Sequence, residues 1–393
     1  MKSYLKVIEN ILEKGVKKPP ARPFLPSTLG VSFAHIQHDL KEGFPLLTTK
    51  KMFWKGIVHE LIWFLKGGTN IKYLVDNKTN IWNDDAYRWY LTYAELNLEE
   101  INNILHKNED GSYRVLSKEE FIKKIFITSF ENLPEVTILN KELPVYKLGD
   151  LGKVYGYQWR NQNGVDQIAD IFENLENNPF SRYNIIDGWN KADFDQMALP
   201  PCHLLYQFIC RPLTDIERIN LYDNCNNSPL KNRTLKRSLG TFKYPENYIS
   251  THEEDIPDPI GWFLSEEEHN YLDNEGIPRI GLDLNMYQRS CDSALGLPYN
   301  IASMSLLLIM VAKVKKMDPG VVNWIGGDTH LYENHLKQAK EQIKRKPYKL
   351  PTLKINKEIN SLDDIISLSI DDFELINYES HEKIPYILSV GLS

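Results

Sequence analysis

The chain has 393 residues, a formal net charge of −7 at pH 7, 42% hydrophobic residues and 25% charged residues. These fractions are typical of a globular protein with one large domain or two ordinary ones. The negative charge argues against a general affinity for nucleic acid, because such binding needs a basic surface that displaces counterions.

No export signal or membrane span is expected. Met1 leads directly into an amphipathic pattern, without the apolar core and cleavage site of a secretory signal. The longest apolar run, at 304–312, is too short to cross a bilayer. The cysteines have no CxxC spacing, so neither a zinc site nor a disulfide framework is expected. Free thiols predict a cytoplasmic protein.

Helical spacing of apolar residues predicts a first helix at 4–15, a second at 46–67 that Gly67-Gly68 ends, and a short third helix from 70 to 74. Residues 90–145 are rich in Asn, Glu and Lys and break the core pattern, so we interpret them as an insertion.

A second insertion is predicted at 211–278, basic in its first half and acidic in its second. Either it is a solvated excursion, since long loops cost little extra closure entropy, or it is a contact surface for a partner.

Strands are predicted at 180–189, 204–210, 280–288, 351–355 and 373–378, with a long buried helix at 300–317. Strands and helices do not alternate regularly, so the predicted fold class is α+β, as a single domain over residues 1–393 that carries the two insertions.

Cys202 is the candidate nucleophile. It follows Pro200-Pro201, and two prolines fix their own φ angles and stiffen the chain before the strand that starts nearby. His203 joins the candidate catalytic residues, but neighbours in an extended segment point to opposite faces, so a Cys202–His203 dyad is not implied. Cys291 is interpreted as a packing residue.

Glu60 is the candidate proton donor and acceptor. It lies on a predicted helix beside Leu61, Trp63 and Phe64, and buried carboxylates are rare unless they have a partner or a task. Burial would raise its pKa toward neutrality and suit it to proton transfer.

Two arginines, each next to a serine at a predicted strand, suggest an anion site. Arg289 precedes Ser290 and Arg182 follows Ser181, and a guanidinium with a hydroxyl suits phosphate. Asn300 carries an amide that can both donate and accept hydrogen bonds, although an Asn before a helix is most simply a cap.

These motifs together resemble the thymidylate synthase family, which includes the pyrimidine nucleotide hydroxymethylases of bacteriophages. The resemblance rests on Pro200-Pro201-Cys202-His203, on residues 287–292, on residues 296–302 and on residues 326–332. It covers roughly residues 28–83, 150–210 and 280–378. It implies an α+β thymidylate synthase fold, a homodimer packed through a sheet, and 5,10-methylenetetrahydrofolate as co-substrate without a metal.

By this resemblance, Cys202 would add to C6 of dUMP, Glu60 would relay protons at O4, Asn300 would read uracil, and Tyr155 would support removal of the C5 proton. Arg182 would reach the phosphate from the other subunit. The remaining implied nucleotide ligands are Arg22, Gln288, Arg289, Ser290, Asp292, His330 and Tyr332. The implied folate contacts are Lys50, Trp82, Asp85, Leu199, Asp292, Gly296 and Tyr299.

The chain departs from the family pattern at several positions. Tyr183 stands where a second arginine is usual, and Pro23 follows Arg22 where the family has an Arg-Thr-Gly-Thr loop. Asp85 replaces a tryptophan that would cover the folate, and the C-terminal segment overruns the usual apolar tail.

A wetter site would let water add to the exocyclic methylene left on C5, instead of reduction by hydride. We therefore expect a dUMP hydroxymethylase, with thymidylate synthase as the alternative. A dCMP hydroxymethylase is a third possibility, against which Asn300 speaks. From other classes, a thiol hydrolase using Cys202 with His330, or a non-catalytic nucleotide- or RNA-binding relative, stays open.

Overall fold

The computed structural model describes residues 1–22, 25–96, 99–137, 145–226 and 264–387. The strands are β1 Val16–Lys18, β2 Thr28–Val31, β3 Ala34–Asp39, β4 His106–Lys107, β5 Tyr113–Arg114, β6 Glu135–Val136, β7 Tyr146–Lys147, β8 Ile185–Asp187, β9 His203–Pro212, β10 Ile280–Asp292, β11 Asp318–Tyr332, β12 Thr352–Ile355 and β13 Phe373–Ile376.

The α-helices are α1 Lys2–Lys14, α2 Trp54–Leu65, α3 Lys72–Asp76, α4 Asn83–Ala94, α5 Lys118–Ile127, α6 Tyr155–Asn161, α7 Gln167–Asn177, α8 Asp215–Asn226, α9 Glu266–Asn274, α10 Gly296–Val314, α11 Leu336–Gln342 and α12 Leu362–Ile366.

A seven-stranded mixed sheet organises the molecule. Its order is β1-β2-β11-β10-β9-β8, and β3 pairs with the earlier part of β11. The neighbours β10 and β11 run parallel, and the other pairs are antiparallel. The predicted α+β class is therefore confirmed.

The parallel pair places the candidate site. Helix α10 connects β10 to β11 and packs on both, as a crossover between parallel strands requires. In the register of this pair, Ser290 lies opposite Asp328 and Asp292 lies opposite His330. The motifs at 287–292 and 326–332 therefore meet at the carboxyl ends of two adjacent strands. The antiparallel strand β9 brings His203 opposite Gln288.

Helix α10 is long and apolar enough to cross a membrane by length and composition alone, although the apolar run at 304–312 looked too short. It has 19 residues, because it begins at Gly296, before that run. In this fold 67% of its most apolar window is buried against the sheet and α2. Buried core helices can have the same length and composition, and α10 is packed as a core helix.

One helix and one strand are shorter in the structure than the sequence predicted. The predicted helix at 46–67 begins only at Trp54, because Thr48 and Thr49 are buried by side-chain hydrogen bonds to the segment around Gln342 and Tyr348. The predicted strand at 180–189 is reduced to β8, because the Asn184 amide donates to the carbonyls of Pro179 and Ser181 and forms a turn there.

Other elements match with shifted ends. The strand predicted at 280–288 continues to Asp292, and the helix predicted at 300–317 spans Gly296–Val314. A proline is tolerated in the first turn of a helix, which allows Pro298 there. The strands predicted at 351–355 and 373–378 form the antiparallel pair β12–β13.

The first predicted insertion is not a solvated segment. Its described residues contribute Tyr90, Ile104, Leu116, Phe121 and Ile125 to the main hydrophobic core, each nearly fully buried. The composition of residues 90–145 hid this, because polar residues on the outer surface outnumber the few large apolar ones that pack inward.

The second predicted insertion contains α8 and α9, which share a small hydrophobic cluster of Ile219, Leu264, Leu272 and Ile277. The basic residues 231–237 and acidic residues 253–255 lie outside the described residues. The choice between a solvated excursion and a partner surface therefore stays a prediction.

Arg218 joins α8 to α9 from a buried position, with its side chain 1% exposed. Its guanidinium donates to the carbonyls of Ile277 and Pro278 and to the Asp273 carboxylate. We predict that Arg218→Met weakens this unit by about 1–3 kcal/mol, because it leaves buried acceptors unpaired. Faster hydrogen exchange in α8 and α9, with unchanged exchange in β10, would report it.

Arg279→Met is the matched control, since Arg279 pairs with the same Asp273 from an exposed position. An exposed ion pair contributes less than about 1 kcal/mol. Equal effects of the two substitutions would contradict the assignment of Arg218 as the buried link.

Candidate active site

Cys202 lies immediately before β9 and is held through its backbone. Its N–H donates to the Tyr155 hydroxyl at 2.7 Å, and its carbonyl accepts from the Arg289 N–H at 2.7 Å. The preceding prolines have no N–H to donate, but their carbonyls accept from the Arg289 guanidinium, at 3.1 Å for Pro201 and 3.3 Å for Pro200. The stiffness expected from the two prolines is therefore combined with anchoring by one side chain.

The Cys202 thiol faces a cation. Arg289 Nη2 lies 3.6 Å from Sγ. Burial raises the pKa of the thiol, and Arg289 acts in the opposite direction by favouring the thiolate. The Arg289 guanidinium can therefore stabilise the Cys202 thiolate, which is the form of the thiol that attacks an electrophile. Cys291, by contrast, is 1% exposed and its pKa is raised well above the ordinary value by burial.

Glu60 lies on α2 and is 7% exposed. The Trp82 indole N–H donates to its Oε1 at 2.8 Å. Burial raises the pKa of Glu60 to about 7, although the Trp82 hydrogen bond favours the charged form. The carboxyl group can therefore both hold and release a proton near neutral pH, as proton transfer requires.

His203 is buried, and its Nδ1 hydrogen bonds to the Tyr206 hydroxyl at 3.1 Å. Burial lowers its pKa to about 4, with Asn300 acting in the opposite direction. The imidazole is therefore neutral at neutral pH. Its ring packs against Tyr155 with centroids 5.1 Å apart, so its contacts orient Tyr155 and Tyr206 and do not form a dyad with Cys202.

Three side chains form a hydrogen-bonded series across the sheet. The Trp324 indole donates to Gln288 Oε1 at 2.8 Å, and Gln288 Nε2 donates to Asn300 Oδ1 at 3.1 Å. Asn300 is the fifth residue of α10, so the simpler interpretation as a helix cap is wrong. Trp324 was missed by the sequence analysis, because nothing in the sequence links it to Gln288 before the strand register is known.

The expected phosphate ligands are only partly brought together. Arg289 is at Cys202, and Arg22 is close enough to affect the pKa values of Cys202 and Tyr332, although Pro23 after it lies outside the described residues. Arg182 is exposed at the far edge of the sheet, where its carbonyl accepts from Gln207. The structure of one chain therefore does not place Arg182 at the thiol.

His330 and Tyr332 lie side by side at the end of β11, with ring centroids 5.2 Å apart. His330 Nδ1 is 3.1 Å from Asp328 Oδ1. A hydrogen bond at one ring nitrogen orients the imidazole, so the ring is fixed at the end of the strand.

The expected folate-contacting residues surround the turn between β10 and α10. Asp292 Oδ1 accepts from the N–H groups of Ala294 and Leu295, at 2.9 and 3.3 Å. Burial opposes ionisation of Asp292, but His335, 3.7 Å away, and these N–H groups lower its pKa. Lys50 Nζ donates to the Ala294 carbonyl at 2.5 Å, and burial lowers the pKa of Lys50 to about 8.

Two further expected folate contacts lie within this arrangement. The Tyr299 hydroxyl accepts from the Phe53 N–H at 3.4 Å. Gly296 starts α10 beside Asn300, and a Cβ on it would lie 3.5 Å from Asn300 Oδ1. Leu199 is half-buried in the segment before Cys202.

Asp85, which stands in place of the expected indole, is paired with a residue that the sequence analysis missed. Arg88 Nη2 donates to Asp85 Oδ1 at 2.6 Å and to the Ala198 carbonyl at 3.3 Å. Burial raises the pKa of Asp85, and Arg88 acts in the opposite direction. The i,i+3 spacing of the two residues on a helix was the available signal.

The described residues include no group of three or more His, Cys, Asp or Glu side chains placed to hold a metal ion. The polar groups of the site are those that bind organic ligands. They are the guanidinium and hydroxyl groups at Cys202, the amides of Gln288 and Asn300, and the Glu60 carboxyl group with its partner Trp82.

Comparison with known proteins gives one consistent result. The family model described as thymidylate synthase matches residues 2–240 and 269–390. Proteins named thymidylate synthase align with the chain at 36% identity over 386 residues in Mycoplasma mobile, 35% over 384 in Mesoplasma florum and 34% over 386 in Mycoplasma pneumoniae. Each alignment covers 98% of this chain and 98% of the relative.

The matched region is longer than the sequence analysis indicated. It runs through residues 90–145, which had been placed outside the resemblance, and it omits only 241–268 from the interior. The three relatives are also nearly as long as this chain, since the alignments cover almost all of both partners.

The buried Glu60 predicts a specific dependence of stability on pH. An unfolded Glu ionises near pH 4.5, whereas the folded carboxyl ionises only near 7. Folding is therefore penalised as pH rises from about 4.5 to 7, by about 3 kcal/mol at 1.36 kcal/mol per pKa unit. Glu60→Gln should escape this penalty, so its free energy of unfolding should rise relative to wild type over that interval.

Urea unfolding of both proteins at a series of pH values measures this difference. Below pH 4.5 and above pH 7 the difference should be constant. Trp82→Phe removes the donor to Oε1 and should move the upper limit to a higher pH. A pH-independent difference between wild type and Glu60→Gln would contradict the raised pKa.

Proposed function

The chain belongs to the thymidylate synthase family, and we propose on that basis that it is a thymidylate synthase. It would transfer the one-carbon unit of 5,10-methylenetetrahydrofolate to C5 of dUMP and reduce it to a methyl group, giving dTMP and dihydrofolate. The transfer to C5 follows from the family, whereas the reduction is the finer proposal. It is carried by the end-to-end similarity to proteins that are themselves named thymidylate synthase.

Cys202 starts the reaction in this proposal. The thiolate, favoured by Arg289, forms a bond from Sγ to C6 of the pyrimidine, and the electron pair of the C5–C6 double bond moves toward C5 and O4. C5 thereby becomes the nucleophile that takes the one-carbon unit. Covalent addition divides one difficult substitution into easier steps. The bond from Sγ to C6 breaks at the end and restores the thiolate.

Three other side chains serve the pyrimidine. Glu60, with a pKa of about 7, exchanges a proton at O4 as negative charge forms and disappears there. Asn300 matches the O4 acceptor and the N3 donor of uracil. Tyr155, whose hydroxyl accepts from the Cys202 N–H, is placed to support proton removal from C5.

Nucleotide and folate would occupy the two sides of this arrangement. Arg22, Arg289 and Ser290 would bind the phosphate, and His330 and Tyr332 the ribose hydroxyl. Asp292, ionised because its pKa is lowered, would accept from ring N–H groups of the folate, and Trp82 would pack against the ring. The folate supplies both the one-carbon unit and the hydride.

Asp85 was the main reason for expecting hydroxymethylation, because a free carboxylate would bring water to the exocyclic methylene. The side chain is only 14% exposed and its carboxylate is bound by Arg88. This pairing weakens the argument for a wetter site. The other reason was the C-terminal segment 384–393, of which residues 388–393 lie outside the described residues, so hydroxymethylation stays the second candidate.

Product analysis decides between the two. With dUMP and methylenetetrahydrofolate, we predict a nucleotide heavier than dUMP by one CH2 unit, together with an equal amount of dihydrofolate, followed by its absorbance. Cys202→Ser should abolish both products. A nucleotide heavier by one CH2O unit, formed without dihydrofolate, would establish hydroxymethylation. A parallel reaction with dCMP in place of dUMP tests whether cytosine is also accepted.

The same assay addresses the other classes of function. A thiol hydrolase would keep its activity in Glu60→Ala without folate. A non-catalytic binder would not exchange the C5 hydrogen of dUMP.

We further propose that the protein works as a homodimer joined through the sheet. Alternate side chains of β9 and β10 point away from the core, and Ile209 and Tyr287 on that face are 38% and 41% exposed. Large apolar side chains on one sheet face are suited to a self-complementary interface.

The free thiols Cys202, Cys210 and Cys291 fit a reducing cytoplasm.

In the dimer, Arg182 would complete the partner's phosphate site. We predict that Cys202→Ala and Arg182→Ala homodimers are both nearly inactive, and that mixing them after mild denaturation restores up to about one quarter of wild-type activity. Random pairing makes half of the dimers mixed, and each mixed dimer carries one of its two sites with both residues intact. No recovery, in a mixture shown to exchange subunits, would contradict the shared site.

A further inference from the structure

The segment that carries the nucleophile is short of its own hydrogen-bond donors. Pro200 and Pro201 have no N–H, so these two residues can take part in backbone hydrogen bonds only through their carbonyl groups. Both carbonyls accept from Arg289 on β10. The carbonyl of Ala198 accepts from Arg88 on α4. Two guanidinium groups from different elements therefore hold the approach to Cys202.

Arg88 is in turn held by Asp85. The two residues lie three apart on α4, and the same Nη2 atom contacts Asp85 Oδ1 at 2.6 Å and the Ala198 carbonyl at 3.3 Å. Their side chains are 25% and 14% exposed. A guanidinium bound by a carboxylate has a fixed fork geometry, so Asp85 determines where Arg88 can donate.

The start of the segment has further contacts. The Ala198 N–H donates to the Leu151 carbonyl at 2.8 Å, and the side chains of Ala198 and Leu199 pack, partly buried, against the main hydrophobic core. The Arg289 contacts fix its end. A shift at Ala198 would be transmitted through the rigid prolines to Sγ, because neither proline can absorb it by changing φ.

We propose that Asp85 and Arg88 form a positioning pair that holds the nucleophile segment at Ala198 and keeps the Cys202 thiol beside Arg289. The proposal gives the departure at Asp85 a purpose in this chain. Neither residue needs to touch the reacting atoms. The inference deepens the proposed function, since it concerns the same nucleophile, but it can be tested without that reaction.

The test is alkylation of Cys202 by iodoacetamide, followed by peptide mass spectrometry so that the other thiols are counted separately. The thiolate displaces iodide from the CH2 group and forms a thioether, after its proton has passed to the buffer. The groups that act on the thiol are Arg289 from β10, Tyr155 from α6, Asp85 from α4, and Arg22. Alkylation as a function of pH reports how strongly they favour the thiolate.

We predict that Arg88→Met moves the midpoint of alkylation to higher pH, because Sγ is no longer held beside Arg289. In turnover, kcat should fall by about 10- to 100-fold, the scale of a displacement of about 1 Å, with the KM for dUMP within about 2-fold. Arg88→Lys keeps a cation beside Asp85 but loses the fork, and should recover part of kcat and part of the midpoint.

Asp84→Asn is the matched control. Asp84 is also in the first turn of α4 and forms an ion pair with Lys118, and among the described residues it makes no hydrogen bond or ion pair with residues 197–202. It should leave the alkylation profile unchanged. A wild-type profile in Arg88→Met, or an equal shift in Asp84→Asn, would overturn the proposal, the second outcome indicating only a loss of helix stability.

Asp85→Asn supplies a second variant should Arg88→Met not fold. It keeps a hydrogen-bond acceptor but loses the charge, so kcat should fall less than in Arg88→Met, and a value equal to wild type would count against the pair. If no one-carbon transfer is found with any nucleotide, the alkylation shift alone still tests the positioning role.

Discussion

The hydrogen bonds from the Arg289 guanidinium to the carbonyls of Pro200 and Pro201 are the interaction on which the site depends. The prolines make the segment stiff, but stiffness alone does not say where the segment lies. Arg289 fixes its end against β10, and the same Nη2 atom reaches the thiol. Its ring-facing contact with Trp189, with 5.6 Å between the guanidinium carbon and the ring centroid, holds the side chain from another side.

This arrangement requires a long strand of the central sheet. Arg289 stands near the end of β10, and the site is assembled where β10 and β11 run parallel and finish together. The helix that connects them supplies Asn300 from its first turns, and α2 supplies Glu60 from beneath. Helix α2 therefore contributes to the same region as β10, α10 and β11, although it lies more than 200 residues earlier in the sequence.

The residues that carry local chemical signals could be predicted from the sequence. Pro200-Pro201-Cys202 indicated a placed thiol, and an acid among large apolar residues indicated that Glu60 is buried. The ends of elements were less predictable. Helical spacing at 46–53 arises in a segment that is held by hydrogen bonds to residues about 300 positions later, such as the one from the Tyr348 backbone N–H to Thr48. The packing of residues 90–145 was hard to predict for a related reason: a minority of buried apolar side chains decides it, whereas composition averages over all residues.

Partners across the fold were the part that the sequence could not supply. Trp324, Arg88 and His335 each contact a predicted site residue, and each has an ordinary surface or core context in the sequence. Asp85 shows the consequence. Taken alone, its substitution for an indole suggests an open, wet site, whereas its observed partner makes the same carboxylate part of the framework.

The indole of Trp324 has one property that the amides of Gln288 and Asn300 lack: it can only donate a hydrogen bond. Gln288 must therefore turn its oxygen toward Trp324 and its nitrogen toward Asn300, and Asn300 must turn its oxygen toward Gln288. An amide is otherwise free to flip by 180° at little cost. A donor-only ring thus sets the polarity of two successive amides. In the proposed function, the orientation of the Asn300 amide that would read uracil is therefore decided by a residue that lies beyond Gln288.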